Sequence, residues 1–253
     1  MTAALDRPPS RSALRFEVVI VLLLSLGQSA IYAVIQLIAK LTAGPALSQQ
    51  TATLNQSRSA RPYVDLTLQL FWIFAALVPV LLVFYLLGRP RAVLGIGIDR
   101  PGFDLGWGFG LAAAIGLPGL LLVYAAVKLG INAQIIPAAL QPVWWAVPVL
   151  ILAAIQNAVL EEVIVVGYLM TRLREFGWRI GYVVLASAVL RGSYHLYQGF
   201  GGFVGNVVMG VVFALFYLRF KRIMPLIVAH SVIDIAAFVG YTLLPPEWLT
   251  WLK

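Results

Sequence analysis

No cysteine occurs anywhere in the 253 residues. Disulfides and thiolate metal sites are therefore excluded, and cysteine usage says nothing of redox compartment. Charge is scarce as well. Only 11% of residues are Asp, Glu, Lys or Arg, against about 25% in an ordinary soluble domain. Histidine occurs twice, at His195 and His230. No sequence repeat is present, which argues against a solenoid. The glycine-rich stretch Gly199 to Asn206, GFGGFVGN, is preceded by no strand and followed by no Lys-Ser/Thr, so it is a poor phosphate cradle. What fills the chain instead is apolar surface. The hydrophobic share is 61% and the mean hydropathy +0.92, values that belong to a bilayer rather than to water.

Apolar runs of membrane-crossing length predict an all-α polytopic transmembrane helix bundle of about seven spans. They are 16–39, 66–87, 105–129, 143–169, 181–196, 203–220 and 224–244. The fifth is short and broken by polar residues. An apolar segment at 132–141 holds Pro137 and precedes Pro142, and reads as an interfacial or re-entrant eighth element. The polar stretch 42–65 reads as a loop. The chain divides into a cytoplasmic tail at 1–15, N-terminal transmembrane helices at 16–130 and a helix core at 131–253. A basic stretch before an apolar run also fits a signal peptide, but the run is longer than a signal h-region and no A-x-A-like site follows it.

The net charge of +8 is explained by topology rather than by nucleic acid, because the basic residues sit in short loops. With the N-terminus inside, the inner segments hold twelve: Arg7, Arg11, Arg15, Arg89, Arg91, Arg100, Arg172, Arg174, Arg179, Arg219, Lys221 and Arg222. The outer segments hold five: Lys40, Arg58, Arg61, Lys128 and Lys253. Trp107, Trp144, Trp145, Trp178, Trp248 and Trp251 fall near span ends, as in an interfacial aromatic belt.

Six ionisable residues lie inside apolar runs: Glu161 and Glu162 in one, Arg191 and His195 in the next, His230 and Asp234 in the last. A charge at membrane depth costs about 2.5–3.5 kcal/mol on insertion scales, so such residues need partners or water and mark functional sites by default. The plainer reading is that they pair and hold helices together. His230 and Asp234 share a helix face at i and i+4, as do Arg191 and His195. Glu161 and Glu162 diverge by about 100° on a 3.6-residue helix, so one is expected to face a cavity and the other a neighbouring helix. Histidines and carboxylates of this kind could hold a divalent metal with an open water position. They could equally activate water unaided, with glutamate as base. Gly201, Gly202 and Gly205 serve either close helix packing or a cavity wall, and Asn206 fits both.

The order Glu-Glu, then His, then HxxxD across three late spans resembles the CPBP family of intramembrane proteases, which includes CAAX prenyl endopeptidases and bacterial bacteriocin self-immunity relatives. The resemblance covers 143–244. The family pattern EExxxR reads here Glu161-Glu162-Val163-Ile164-Val165-Val166, so Val166 stands where an arginine is expected. The family pattern FxxxH reads Arg191-Gly192-Ser193-Tyr194-His195, and HxxxN/D is intact as His230 and Asp234. The two departures suggest compensation, with Arg191 pairing Glu162.

The resemblance implies a membrane endopeptidase in which Glu161, Glu162, His195, His230 and Asp234 are catalytic and Arg191 and Asn206 support them. If a metal such as Zn2+ is used, Glu161, His195, His230 and Asp234 are its implied ligands. The implied partners are the bilayer, a membrane protein or lipidated peptide substrate, and a larger membrane complex. The implied location is a bacterial plasma membrane with the N-terminus cytoplasmic. Two rivals stand beside this reading: a non-catalytic subunit that retains the scaffold, and a transporter with a buried proton relay.

Overall fold

The computed structural model describes residues 10–245. The expected tail up to residue 9, with Arg7, and Trp248, Trp251 and Lys253 lie outside that range. Helix α1 (Arg11–Leu23) begins where Ser10 caps it, its Oγ accepting from Ala13 N at 3.2 Å. A bend of 53° separates α1 from α2 (Leu26–Leu41). Its cause is local. Ser25 turns its hydroxyl back to Val21 O at 2.6 Å, which competes with the helix ladder.

The remaining helices are α3 (Pro62–Ala75), α4 (Val78–Leu87), α5 (Pro90–Leu94), α6 (Pro101–Lys128), α7 (Ala146–Glu161), α8 (Leu169–Glu175), α9 (Ile180–Ser193), α10 (Phe200–Phe220) and α11 (Met224–Leu243). A π-helical segment, Glu162–Tyr168, joins α7 to α8 without a break. Among the described residues five helices are long and apolar enough to cross a membrane: Pro62–Leu87, α6, Ala146–Glu175, α10 and α11. The bent α1–α2 pair counts as a sixth if it is one broken span rather than a re-entrant loop. The protein is a multi-pass helical membrane protein. The expected fifth span is the exception. Helix α9 has 14 residues, about 21 Å of rise against a ~30 Å hydrocarbon core, and it ends inside the protein at the buried Arg191.

The bundle is not purely helical. The expected loop 42–65 contains β1 (Thr51–Gln56), and the expected interfacial segment contains β2 (Gln134–Ala139); the two pair in parallel, Thr51 opposite Gln134. Parallel strands need a long crossover, here supplied by α3–α6. Gln134 N donates to Gln50 O at 2.9 Å. In a parallel ladder alternate residues turn both backbone groups to the partner, so Ala52 and Leu54 of β1 face β2. Pro137 falls at a β2 position that turns away from β1, and its missing N–H interrupts no ladder bond.

The long helix Ala146–Glu175 is the axis of the fold, 61% buried where α6 is 17% buried. Small residues let the others close around it. A Cβ on Gly210 of α10 would come within 2.8 Å of Ala188 Cα, so only glycine permits this approach of α9. Two ion clusters pin the ends. Arg172 holds Glu17 at 2.8 Å, Glu175 at 2.9 Å and Leu86 O at 3.1 Å, tying α1 and α4 to α8. Arg222 grips Asp104 at 2.5 and 2.6 Å, tying the α10–α11 turn to α6. One belt tryptophan is misassigned by sequence: Trp145 is 2% exposed and packs with Ile73 and Val149, whereas Trp107, Trp144 and Trp178 are exposed.

Candidate active site

The two adjacent glutamates sit at the junction of α7 and the π segment, and they part company as expected. Glu161 lines a cavity of about 1250 Å3. Glu162 does not, and it has no exposed surface. The π turn is visible in the backbone: Leu169 N donates to Ile164 O, five residues back. Such a widened turn leaves carbonyls short of partners and is frequent at functional sites. Ser187 of α9 supplies one partner, its Oγ donating to Val165 O at 3.0 Å.

Arg191, at the end of α9, joins the glutamates. Its Nη2 meets Glu162 Oε1 at 2.5 Å and its Nη1 meets Glu161 Oε2 at 3.5 Å. The guanidinium has no exposed surface and stands 5.3 Å from the ring centre of Phe213. The expected pairing of Arg191 with Glu162 is therefore present. Val166 is fully buried, and the positive charge that the family pattern places there arrives from α9 instead.

Glu162 accepts a second bond on the same oxygen, from His230 Nδ1 at 2.7 Å. Because a carboxylate accepts, Nδ1 carries the proton and Nε2 is the other pole of the ring. That Nε2 lies 3.7 Å from Asp234 Oδ2 and 4.0 Å from Glu161 Oε2. Both gaps exceed a direct hydrogen bond and suit a bridging water. His195 is set in the same way: its Nδ1 is 2.9 Å from Arg191 O, an acceptor, which leaves Nε2 with the free lone pair in the neutral ring. His195, His230 and Asp234 all line the cavity with Glu161.

Sequence reasoning missed one residue of this cluster. Tyr194 is buried and its hydroxyl donates to Glu161 Oε2 at 2.7 Å. Oε2 thus takes the bonds from Tyr194 and Arg191, and Oε1 takes no bond among the described residues. The only signal was adjacency to His195. Asn157, one turn before Glu161, is a second cavity residue missed. Asn206 lines the cavity too, but its amide bonds back to Gly202 O at 3.0 Å rather than across helices. The glycines do both things expected of them. Gly201 packs on Ala126 and Gly205 on Leu122 of α6, and both line the cavity. Gly199, at φ +122°, makes the turn that starts α10.

Residues 143–236 match the family model described as type II CAAX prenyl endopeptidase, Rce1-like. This segment is similar to that family. The Rce1-like segment spans from the entry to α7 to the middle of α11, and so includes Glu161, Glu162, Arg191, His195, His230 and Asp234. The family is one of endopeptidases, which agrees with the resemblance read from the three motifs. No curated protein and no solved structure matches the chain.

The donor set of the site bears on whether it could hold a metal. Among the described residues no three His, Asp or Glu side chains gather so as to hold a metal ion. Of the four candidate ligands, Glu161 is engaged by Tyr194 and Arg191, and His230 Nδ1 by Glu162. A buried guanidinium already supplies positive charge beside both glutamates. This arrangement does not fit a divalent cation.

Proposed function

We propose that the protein is an intramembrane endopeptidase in which Glu161 activates water. The observation that carries this reading is the division of labour between the glutamates. Glu162 is locked by Arg191 and His230, while Glu161 lines the cavity and is held through one oxygen, leaving the other without a bond. A water at Glu161 Oε1 gives up a proton to the carboxylate as its oxygen attacks the scissile carbonyl. His195 Nε2 accepts from the same water and orients it. His230 holds Glu162 through Nδ1–H. In its doubly protonated form it presents Nε2–H to the oxyanion, with Asp234 beside it to steady that charge. Glu161 then passes its proton to the leaving amine.

The substrate class is a membrane protein or a lipidated peptide, and the family name makes a prenylated CAAX tail one option. The N-terminus is proposed to be cytoplasmic, on the twelve-to-five bias of basic residues, and the membrane to be bacterial, on the family resemblance alone. The rival reading of a non-catalytic scaffold drew its support from Val166. Arg191 now supplies that charge, so this support is lost. The test compares protein N-termini in membranes that carry the native chain or Glu161→Gln at matched abundance. Termini that vanish with Glu161→Gln support a peptidase and identify its substrate. Identical profiles overturn the reading.

A further inference from the structure

The small parallel sheet is the feature that the catalytic cluster does not explain. It lies against the same cavity: residues 51–55 of β1, with Ile135 and Pro137 of β2, line it together with Glu161 and His195. Among the described residues strand β1 has one partner, β2. Since Ala52 and Leu54 face β2, the backbone N–H and C=O groups of Thr51, Thr53 and Asn55 turn to the opposite edge. Lys40 Nζ satisfies the first of these by donating to Thr51 O at 2.6 Å. For the other five groups, N–H of Thr51 and N–H and C=O of Thr53 and of Asn55, no bond is made among the described residues.

An open sheet edge is a template for another strand. In a membrane protein it is tolerated only where protein or water covers it. Here it borders the cavity that holds the proposed base, and the occupant of that cavity must be a peptide in extended form if its carbonyl is to be attacked. The cavity volume of about 1250 Å3 exceeds the ~300–1,000 Å3 of small-molecule sites and leaves room for several residues. We propose that the substrate's peptide segment adds to β1 as a third strand. Thr53 and Asn55 each exchange backbone hydrogen bonds with it and so set its register against Glu161. Main-chain bonds supply affinity without reading side chains, so the edge favours any unstructured segment over a helical one. This inference rests on the endopeptidase reading.

The test uses a synthetic peptide spanning the cleavage point that N-terminus profiling identifies, assayed with the full chain in detergent micelles. Single backbone N-methyl groups are placed at each position in turn. Strand addition predicts that KM rises at least tenfold at alternate positions, with little change between them, because only every second amide faces β1. A second arm uses Thr53→Pro. Proline removes an edge donor that β2 does not use and is expected to raise KM at least tenfold with kcat within about threefold. An N-methyl profile without period two overturns strand addition even if Thr53→Pro is inactive through misfolding. In that case loss of turnover in Glu161→Gln still upholds the peptidase. Unchanged turnover in Glu161→Gln overturns the peptidase reading itself, and the inference with it.

Discussion

Arg191→Met removes a buried charge at nearly constant volume, and its effect can be worked from the contacts. The guanidinium has no exposed surface, meets Glu162 at 2.5 Å and Glu161 at 3.5 Å, and faces Phe213. Removing one partner of a buried ion pair costs about 3–5 kcal/mol, because the other charge is stranded. For a domain of 150–250 residues each kcal/mol lowers Tm by roughly 2–4 °C. The expected loss is therefore about 6–20 °C, read by tryptophan fluorescence in detergent with circular dichroism checking that helices persist. Arg191→Lys keeps the charge but not the fork that reaches both carboxylates, and should fall between. The double variant Arg191→Met with Val166→Arg returns the charge to the family position, four residues after Glu162, and should recover at least half of the loss. A shift below about 2 °C for Arg191→Met would refute the claim that this pair stabilises the helix core. A double variant no better than the single would refute the claim that Arg191 stands in for the arginine missing at Val166.

Further outcomes follow from single contacts. Glu161→Gln should abolish appearance of product N-termini while leaving Tm within about 2 °C, since the amide retains its place beside Tyr194. Tyr194→Phe removes one hydrogen bond to a carboxylate, of the kind worth about 1.5–3 kcal/mol; kcat on the identified peptide should fall roughly 10- to 100-fold with KM little changed. Ser187→Ala strands Val165 O inside the π segment, and should lower Tm by the equivalent of about 1–3 kcal/mol without altering the identity of the products. Gly210→Val should prevent α9 from meeting α10, with loss of folded protein on size-exclusion chromatography as the readout.

The chain's reading divides along a physical line. Apolar runs announced most spans, because a helix in lipid must satisfy its backbone internally and needs about 20 apolar residues to cross. The two departures are the places where that rule gives way. Ser25 bends the first span through its own side chain, and α9 stops short because Arg191 belongs inside the protein. The strands were invisible for a different reason. Each is six residues long, and they pair across 83 positions, Thr51 with Gln134. Nothing in either local pattern points to the other.

For the site, the sequence alone determined which residue types are too polar for their surroundings, and hence that Glu161, Glu162, Arg191, His195, His230 and Asp234 need one another. It also determined that adjacent glutamates on a helix must do different work. Only the tertiary structure decided which glutamate opens to the cavity. Only there does the expected partner of Glu162, Arg191, also reach Glu161, and does Tyr194 complete the grip on Glu161. The reason is that solvation cost belongs to a residue, whereas orientation and partnership belong to the packing of α7, α9 and α11 around it.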